Sequence, residues 1–110
     1  MKSYFVDEIS KPGLEQITAY LHKNAIESGM EKLFWIEIPA EFLNKIQSEH
    51  SGCKPHRFAV EIGDTWIKAE FFIRTSVSFR CDCSGYCDKD QKTFIISYID
   101  NMIKELGIRT

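Results

Sequence analysis

Phe58-Ala59-Val60-Glu61-Ile62-Gly63-Asp64-Thr65-Trp66-Ile67-Lys68-Ala69-Glu70-Phe71 is the stretch whose alternation decides the fold. Ahead of Gly63 the apolar residues Phe58, Val60 and Ile62 fall on even numbers. After Asp64 they fall on odd ones: Ile67, Ala69, Phe71, Ile73, Val77, Phe79, Cys81 and Cys83. Successive side chains of a strand point to opposite faces, so each half reads as a strand with one buried face. A two-residue hairpin loop pairs position i with i+3 and switches the inward parity. Gly63-Asp64 has the chemistry for such a turn. The expected register sets Ile62 opposite Thr65 and Val60 opposite Ile67. Between Ile73 and Val77 the parity does not switch, which excludes a second two-residue turn. The options are a three-residue loop at Arg74-Thr75-Ser76 or one long bent strand, and the loop is favoured because an unbroken strand from 65 to 83 would far exceed the usual length.

Outward from that hairpin the chain reads as alternating strands and helices. Residues 3–9 form an expected first strand. Ser10 caps a helix that tolerates Pro12 in its first turn. Leu14, Ile17, Leu21 and Ala25 make its apolar stripe, and Gly29 is its expected stop. Residues 32–38, with Leu33-Phe34-Trp35-Ile36 unbroken, read as a strand covered on both faces. A second helix is expected from Pro39 to about Glu49, with Phe42, Leu43 and Ile46 inward. Asp88 with Gln91 three residues later resembles a capping box. Ile95, Ile99, Met102 and Leu106 supply the stripe of a last helix that Gly107 ends. The expectation is one α+β domain over residues 1–110, ordered β-α-β-α-β-β-β-α. Its mostly antiparallel sheet has about five strands, and three helices pack on it.

The 110-residue length suits one hydrophobic core but not two. An apolar fraction of 44% argues against disorder, because such a chain can bury enough surface to offset its entropy. The net charge is −2, and no basic run exceeds one residue. A nucleic-acid binder needs a concentrated basic face and none is visible in the sequence, so nucleic acid is a poor default partner unless folding gathers the scattered lysines and arginines. No segment has the 18 or so apolar residues of a membrane helix, and the N-terminus lacks a signal-peptide pattern. The expected location is cytoplasmic, where four cysteines serve as thiols or metal ligands rather than disulfides.

Arg80-Cys81-Asp82-Cys83-Ser84-Gly85-Tyr86-Cys87-Asp88 holds three thiols in seven residues. Cys81, Cys83 and Cys87 are candidate ligands for zinc, with Asp82 or Asp88 as an oxygen donor. The C-x-C-x3-C spacing differs from the C-x2-C of ordinary zinc ribbons. The competing reading is packing: Cys81 and Cys83 continue the inward series of Val77 and Phe79, and a free cysteine behaves as a small hydrophobe. A redox reading gives Cys87 a thiolate favoured by a helix N-terminus, opposed by Asp82, Asp88 and Asp90.

His50, Cys53 and His56 recur at three-residue intervals and form a second candidate. They would bind a metal, or pair a cysteine nucleophile with a histidine base, or simply end a helix at Gly52. The expected hairpin register keeps this group away from Cys81 and Cys83. Extended, it sets Cys53 near Arg74, Cys81 opposite Ala69 and Cys83 opposite Ile67, a separation of about 7–13 Å along the sheet. A joint site would need a bulge, a different strand order or a folded-back loop.

Glu37, Glu61 and Glu70 fall on expected solvent-facing positions. Trp66 and Phe72 interrupt the polar face of their strand beside Lys68, Glu70 and Arg74, as a partner surface or as a face covered by a helix. No phosphate loop, nucleophile elbow or H-E-x-x-H is present. The leading expectation is a small non-enzymatic domain that binds a protein partner. A zinc or thiol-redox protein comes next, and a cysteine-dependent enzyme using Cys53 with His50 or His56 comes third.

Overall fold

The computed structural model describes residues 2–75 and 82–109. The strands are β1 (Ser3–Val6), β2 (Ile26–Glu27), β3 (Leu33–Glu37), β4 (Arg57–Ile62), β5 (Ile67–Glu70), β6 (Phe72–Ile73) and β7 (Gly85–Tyr86). The helices are α1 (Lys11–Asn24), α2 (Lys45–Glu49) and α3 (Lys89–Glu105). Strands β1-β5-β4-β3-β2 form one antiparallel sheet in that spatial order, and β6 pairs with β7 in a second small sheet. This is an α+β architecture, as the alternation implies.

The inner face of the large sheet carries Phe34, Ile36, Phe58, Val60, Ile62, Ile67 and Ala69, all buried. They join Leu14, Ile17 and Leu21 of α1 and Ile95, Ile99 and Met102 of α3 in one core. Both helix stripes fall where the 3.6-residue period puts them. Ser10 Oγ accepts from Gly13 N at 3.2 Å to start α1. Gly107, at φ +68°, follows α3 as its stop.

Three expectations on the N-terminal side are corrected. The first strand covers Ser3–Val6 rather than residues 3–9. Helix α1 ends at Asn24, because Ile26 and Glu27 gain ladder bonds opposite Trp35 and Phe34. Gly29, at φ +87°, therefore makes the turn between β2 and β3 instead of stopping a helix. The expected helix from Pro39 to Glu49 is broken. A 3-10 turn at Ala40–Phe42 precedes a fresh start at Asn44, whose side chain accepts from Gln47 N at 2.8 Å. The restart rotates the inward face, so Gln47 is buried and Ile46 is 48% exposed.

The hairpin switches parity as expected, but in a different register. Ile62 pairs with Ile67, so the loop has four residues, Gly63 to Trp66, closed by Gly63 N donating to Trp66 O at 2.7 Å. A two-residue loop pairs i with i+3 and a four-residue loop pairs i with i+5. Both differences are odd, so alternation alone cannot separate them.

The strand after Ala69 then bends at Phe71, whose N–H donates to Lys2 O. Beyond the bend Arg57 bridges Arg74. The two-residue turn would have set Arg57 opposite Glu70, so the offset is four residues, about 13 Å of strand. The strand continues through Arg74, which overturns a loop beginning there. Ser76, Val77, Phe79 and Cys81 lie outside the described residues. Cys83 does not face Ile67, whose neighbours across the sheet are Ile62 and Val6. It sits in the turn that leads into β7, and Ile73 pairs with Gly85 two residues on.

Candidate metal centre

His50, Cys53 and Cys83 come together: one ring nitrogen and the two sulfurs lie within 4.8 Å of one another. Two local devices bring this about. His50 ends α2, its N–H donating to Gln47 O at 3.2 Å. The 3-10 turn Ser51–Cys53 follows, with Cys53 N donating to His50 O at 2.9 Å. Side chains three residues apart eclipse in a 3-10 turn, so His50 and Cys53 leave on one side.

The second device is Gln47. Its Nε2 donates to Cys83 O at 3.0 Å, tying the turn before β7 to α2 across 36 residues of chain. Gln47 is 2% exposed and also closes the capping box of α2, with its Oε1 accepting from Asn44 N. The periodic stripe favours Ile46 as the inward residue and hides Gln47. The signal that finds it is Asn44-x-x-Gln47, the same pattern as Asp88-x-x-Gln91.

Among the expected ligands, then, Cys83 is in a cluster but with different neighbours. Cys87 is not in it. Cys87 packs half-buried against the core, and its N–H donates to Phe71 O at 3.0 Å. Burial pushes its thiol above the ordinary value, and the adjacent Asp88 carboxylate adds to this. Burial and Asp88 thus oppose the thiolate that the redox reading requires. Cys81 lies outside the described residues. The separation expected between the His50–Cys53 loop and Cys83 is overturned. The bend at Phe71 and the four-residue loop supply the displacement that a joint site requires.

His56 stands apart from the cluster. It is 1% exposed, and neither ring nitrogen has a hydrogen-bond partner among the described residues. Desolvation holds its pKa below the ordinary histidine value, and Lys54 and His50 push the same way. The ring is therefore a neutral imidazole at physiological pH.

Trp66 and Phe72 lie half-buried on the outer face of the strands, with Lys68, Glu70 and Arg74 between and beside them. Trp66 stacks on Phe5 at 5.4 Å and Phe72 meets Tyr86 edge-on at 5.2 Å. Of the carboxylates on this face, Glu61 pairs with Lys68 at 3.3 Å and Glu70 with Arg74 at 3.2 Å. No helix among the described residues is long and apolar enough to cross a membrane.

No family model matches this chain, and no curated protein or solved structure matches it either.

Proposed function

We propose that this domain binds one soft divalent cation, zinc by the chemistry of its donors, through His50, Cys53 and Cys83. The observation that carries the reading is the grouping of two sulfurs and an imidazole nitrogen within 4.8 Å. A tetrahedral zinc with bonds of about 2.3 Å to sulfur and about 2.0 Å to nitrogen separates its donors by about 3.5–3.8 Å. Closing the existing group onto an ion thus needs small side-chain adjustments. Thiolate and imidazole together suit zinc, whereas hard cations prefer oxygen.

The role assigned to the ion is structural. Cys83 is 2% exposed, as a ligand of a closed site would be. The ion would join the segment after α2 to the turn before β7, two segments that Gln47 already links through one hydrogen bond. Cys81, two residues upstream of Cys83 in sequence, is one thiol that could complete a four-ligand set.

The test is elemental analysis of intact protein purified without chelator. The reading expects about one zinc per chain, lost in Cys53→Ser and Cys83→Ser and kept in Cys87→Ser. Absence of bound zinc, together with failure to take up zinc or cobalt in titration, overturns it. If Cys53 alone then reacts with a thiol-directed probe, the site belongs to a nucleophile instead.

A second reading, engagement of a protein partner through the outer face of the sheet, is favoured by the rings gathered there. Trp66, Phe72 and the 50%-exposed Phe5 share that face. Alanine at Trp66 and Phe72 should leave folding intact and abolish partner capture; a double variant that unfolds instead makes those rings core.

A further inference from the structure

Arg57 and Arg74 face each other in an antiparallel bridge and exchange both backbone hydrogen bonds, at 2.9 and 2.8 Å. Residues paired in this way have Cα atoms about 5.5 Å apart and side chains on one face. Two like charges directly opposed across strands repel and destabilise the pair. Each guanidinium is laid on a ring: Arg57 over Trp35 at 4.5 Å, and Arg74 over Phe72 at 4.9 Å.

The two cations are not equally compensated. Arg74 donates to Glu70 at 3.2 Å. Arg57 has no ion pair among the described residues, although Glu37 is its partner on the neighbouring strand. Its Nε and the Ser84 hydroxyl are buried with no hydrogen-bond partner among the described residues. Both line a cavity of about 430 Å³ together with Trp35, Phe72, Arg74 and Thr75. That volume lies in the range of small-ligand sites. The unmet groups include a guanidinium N–H that can only donate, beside a hydroxyl that can donate.

We propose that this cavity binds a small organic oxyanion, a carboxylate or phosphate carried on a flat ring. Its oxygens accept from Arg57 Nε and the Ser84 hydroxyl, and its ring lies between Trp35 and Phe72. A guanidinium fork matches either headgroup, and the negative charge relieves the repulsion between the opposed arginines. Among the described residues His50, Cys53 and Cys83 do not line the cavity, although Ser84 directly follows Cys83 in the chain.

The experiment titrates full-length Trp66→Phe protein, whose one indole is then Trp35, with phenyl phosphate, benzoate and inorganic phosphate, following emission. Phenyl phosphate or benzoate should give a saturable change at millimolar concentration or below, and whichever binds tighter names the headgroup. Adding Arg57→Gln should weaken that binding about tenfold or more, the size of one charge-assisted hydrogen bond. Ser84→Ala should also weaken it, and serves if Arg57→Gln alters the circular dichroism. The proposal is overturned if neither ring-bearing anion saturates, or if a folded Arg57→Gln or Ser84→Ala variant binds like its parent. Inorganic phosphate binding as tightly as phenyl phosphate overturns the assignment to an organic ligand.

Discussion

Gln91 Nε2 donates to Gln47 Oε1 at 2.7 Å, and each of these glutamines also closes the capping box of its own helix. The two boxes are joined back to back in the core. Gln91 Nε2 reaches Phe42 O as well, and Gln47 Nε2 reaches Cys83 O. At 0% and 2% exposure, neither amide has water to fall back on. A buried polar network that is satisfied throughout specifies one arrangement of the elements it touches. Here those elements are α2, α3, the Ala40–Phe42 turn and the Cys83 segment.

Removing either side chain strands its partners. Gln91→Ala leaves the Phe42 carbonyl and the Asp88 N–H without their contacts, and Gln47→Ala does the same to Cys83 O and Asn44 N. Each should cost about 1–3 kcal/mol in chemical denaturation. Because the two share a bond, the double variant should fall short of the sum by about 0.5 kcal/mol or more. Gln47→Ala should also weaken metal uptake while Gln91→Ala does so less, since of the two glutamines it is Gln47 that donates to Cys83 O. Equal effects of the two variants would count against a positioning role for Gln47.

His56 makes the opposite prediction about stability. Two buried ring nitrogens without partners among the described residues carry a desolvation cost that an apolar side chain of similar size avoids. His56→Leu should therefore be neutral or stabilising by up to about 2 kcal/mol. The pH dependence follows from the lowered pKa. Above the unfolded value, near 6.5, both folded and unfolded rings are neutral, and the native state keeps its full stability. As pH falls below that value the unfolded chain takes up a proton that the folded ring resists, so stability drops by at most about 1.4 kcal/mol per pH unit. Melting chelated protein between about pH 7.5 and 5 should show this loss in the parent and less of it in His56→Leu. A parent curve that rises toward low pH would refute the assignment of a neutral buried ring.

Most of the fold was legible because burial imposes a period. Leu14, Ile17, Leu21, Ile95, Ile99 and Met102 are buried where a 3.6-residue repeat puts them, and odd residues from Ile67 to Ile73 alternate inward. The candidate site was not legible for the same reason. A strand slipped by two residues buries the same side chains, so alternation gave Ile62 its face and left its partner open between Thr65 and Ile67. Cys83 inherited that ambiguity. The hydrophobic stripe also had no way to favour Gln47 over Ile46, because an amide is buried only when specific partners satisfy it.

Gly63 offers a test of the four-residue loop. A Cβ built there would stand 2.0 Å from an indole carbon of Trp66, so the ring lies across the glycine. In a two-residue Gly63-Asp64 turn Trp66 would sit in the strand instead. Gly63→Ala must push the indole aside, with loss of its contact to Phe5 and a cost of about 1–3 kcal/mol. Trp66 emission, read in Trp35→Phe protein, should shift to longer wavelength as the ring enters water. An unchanged spectrum and stability would mean that the indole does not cover Gly63.

The cysteines should separate by reactivity in an order set by their surroundings. Cys83 is 2% exposed, Cys53 is partly exposed, and Cys87 is partly exposed with a thiol that burial and Asp88 push up. Alkylation needs the thiolate, so a raised pKa slows Cys87 at neutral pH even where reagent can reach it. With metal bound, the sulfurs of Cys53 and Cys83 are occupied and should be protected. Adding chelator should release Cys53 first, then Cys83 on the slower timescale of local opening, and leave the Cys87 rate unchanged. Peptide mapping of timed iodoacetamide labelling reads all of these rates at once. If Cys53 labels equally fast before and after chelation in protein that contains zinc, the ion is held elsewhere. If Cys87 is the thiol that chelation exposes, the ligand set belongs to Cys81, Cys83 and Cys87 and not to the grouping with His50.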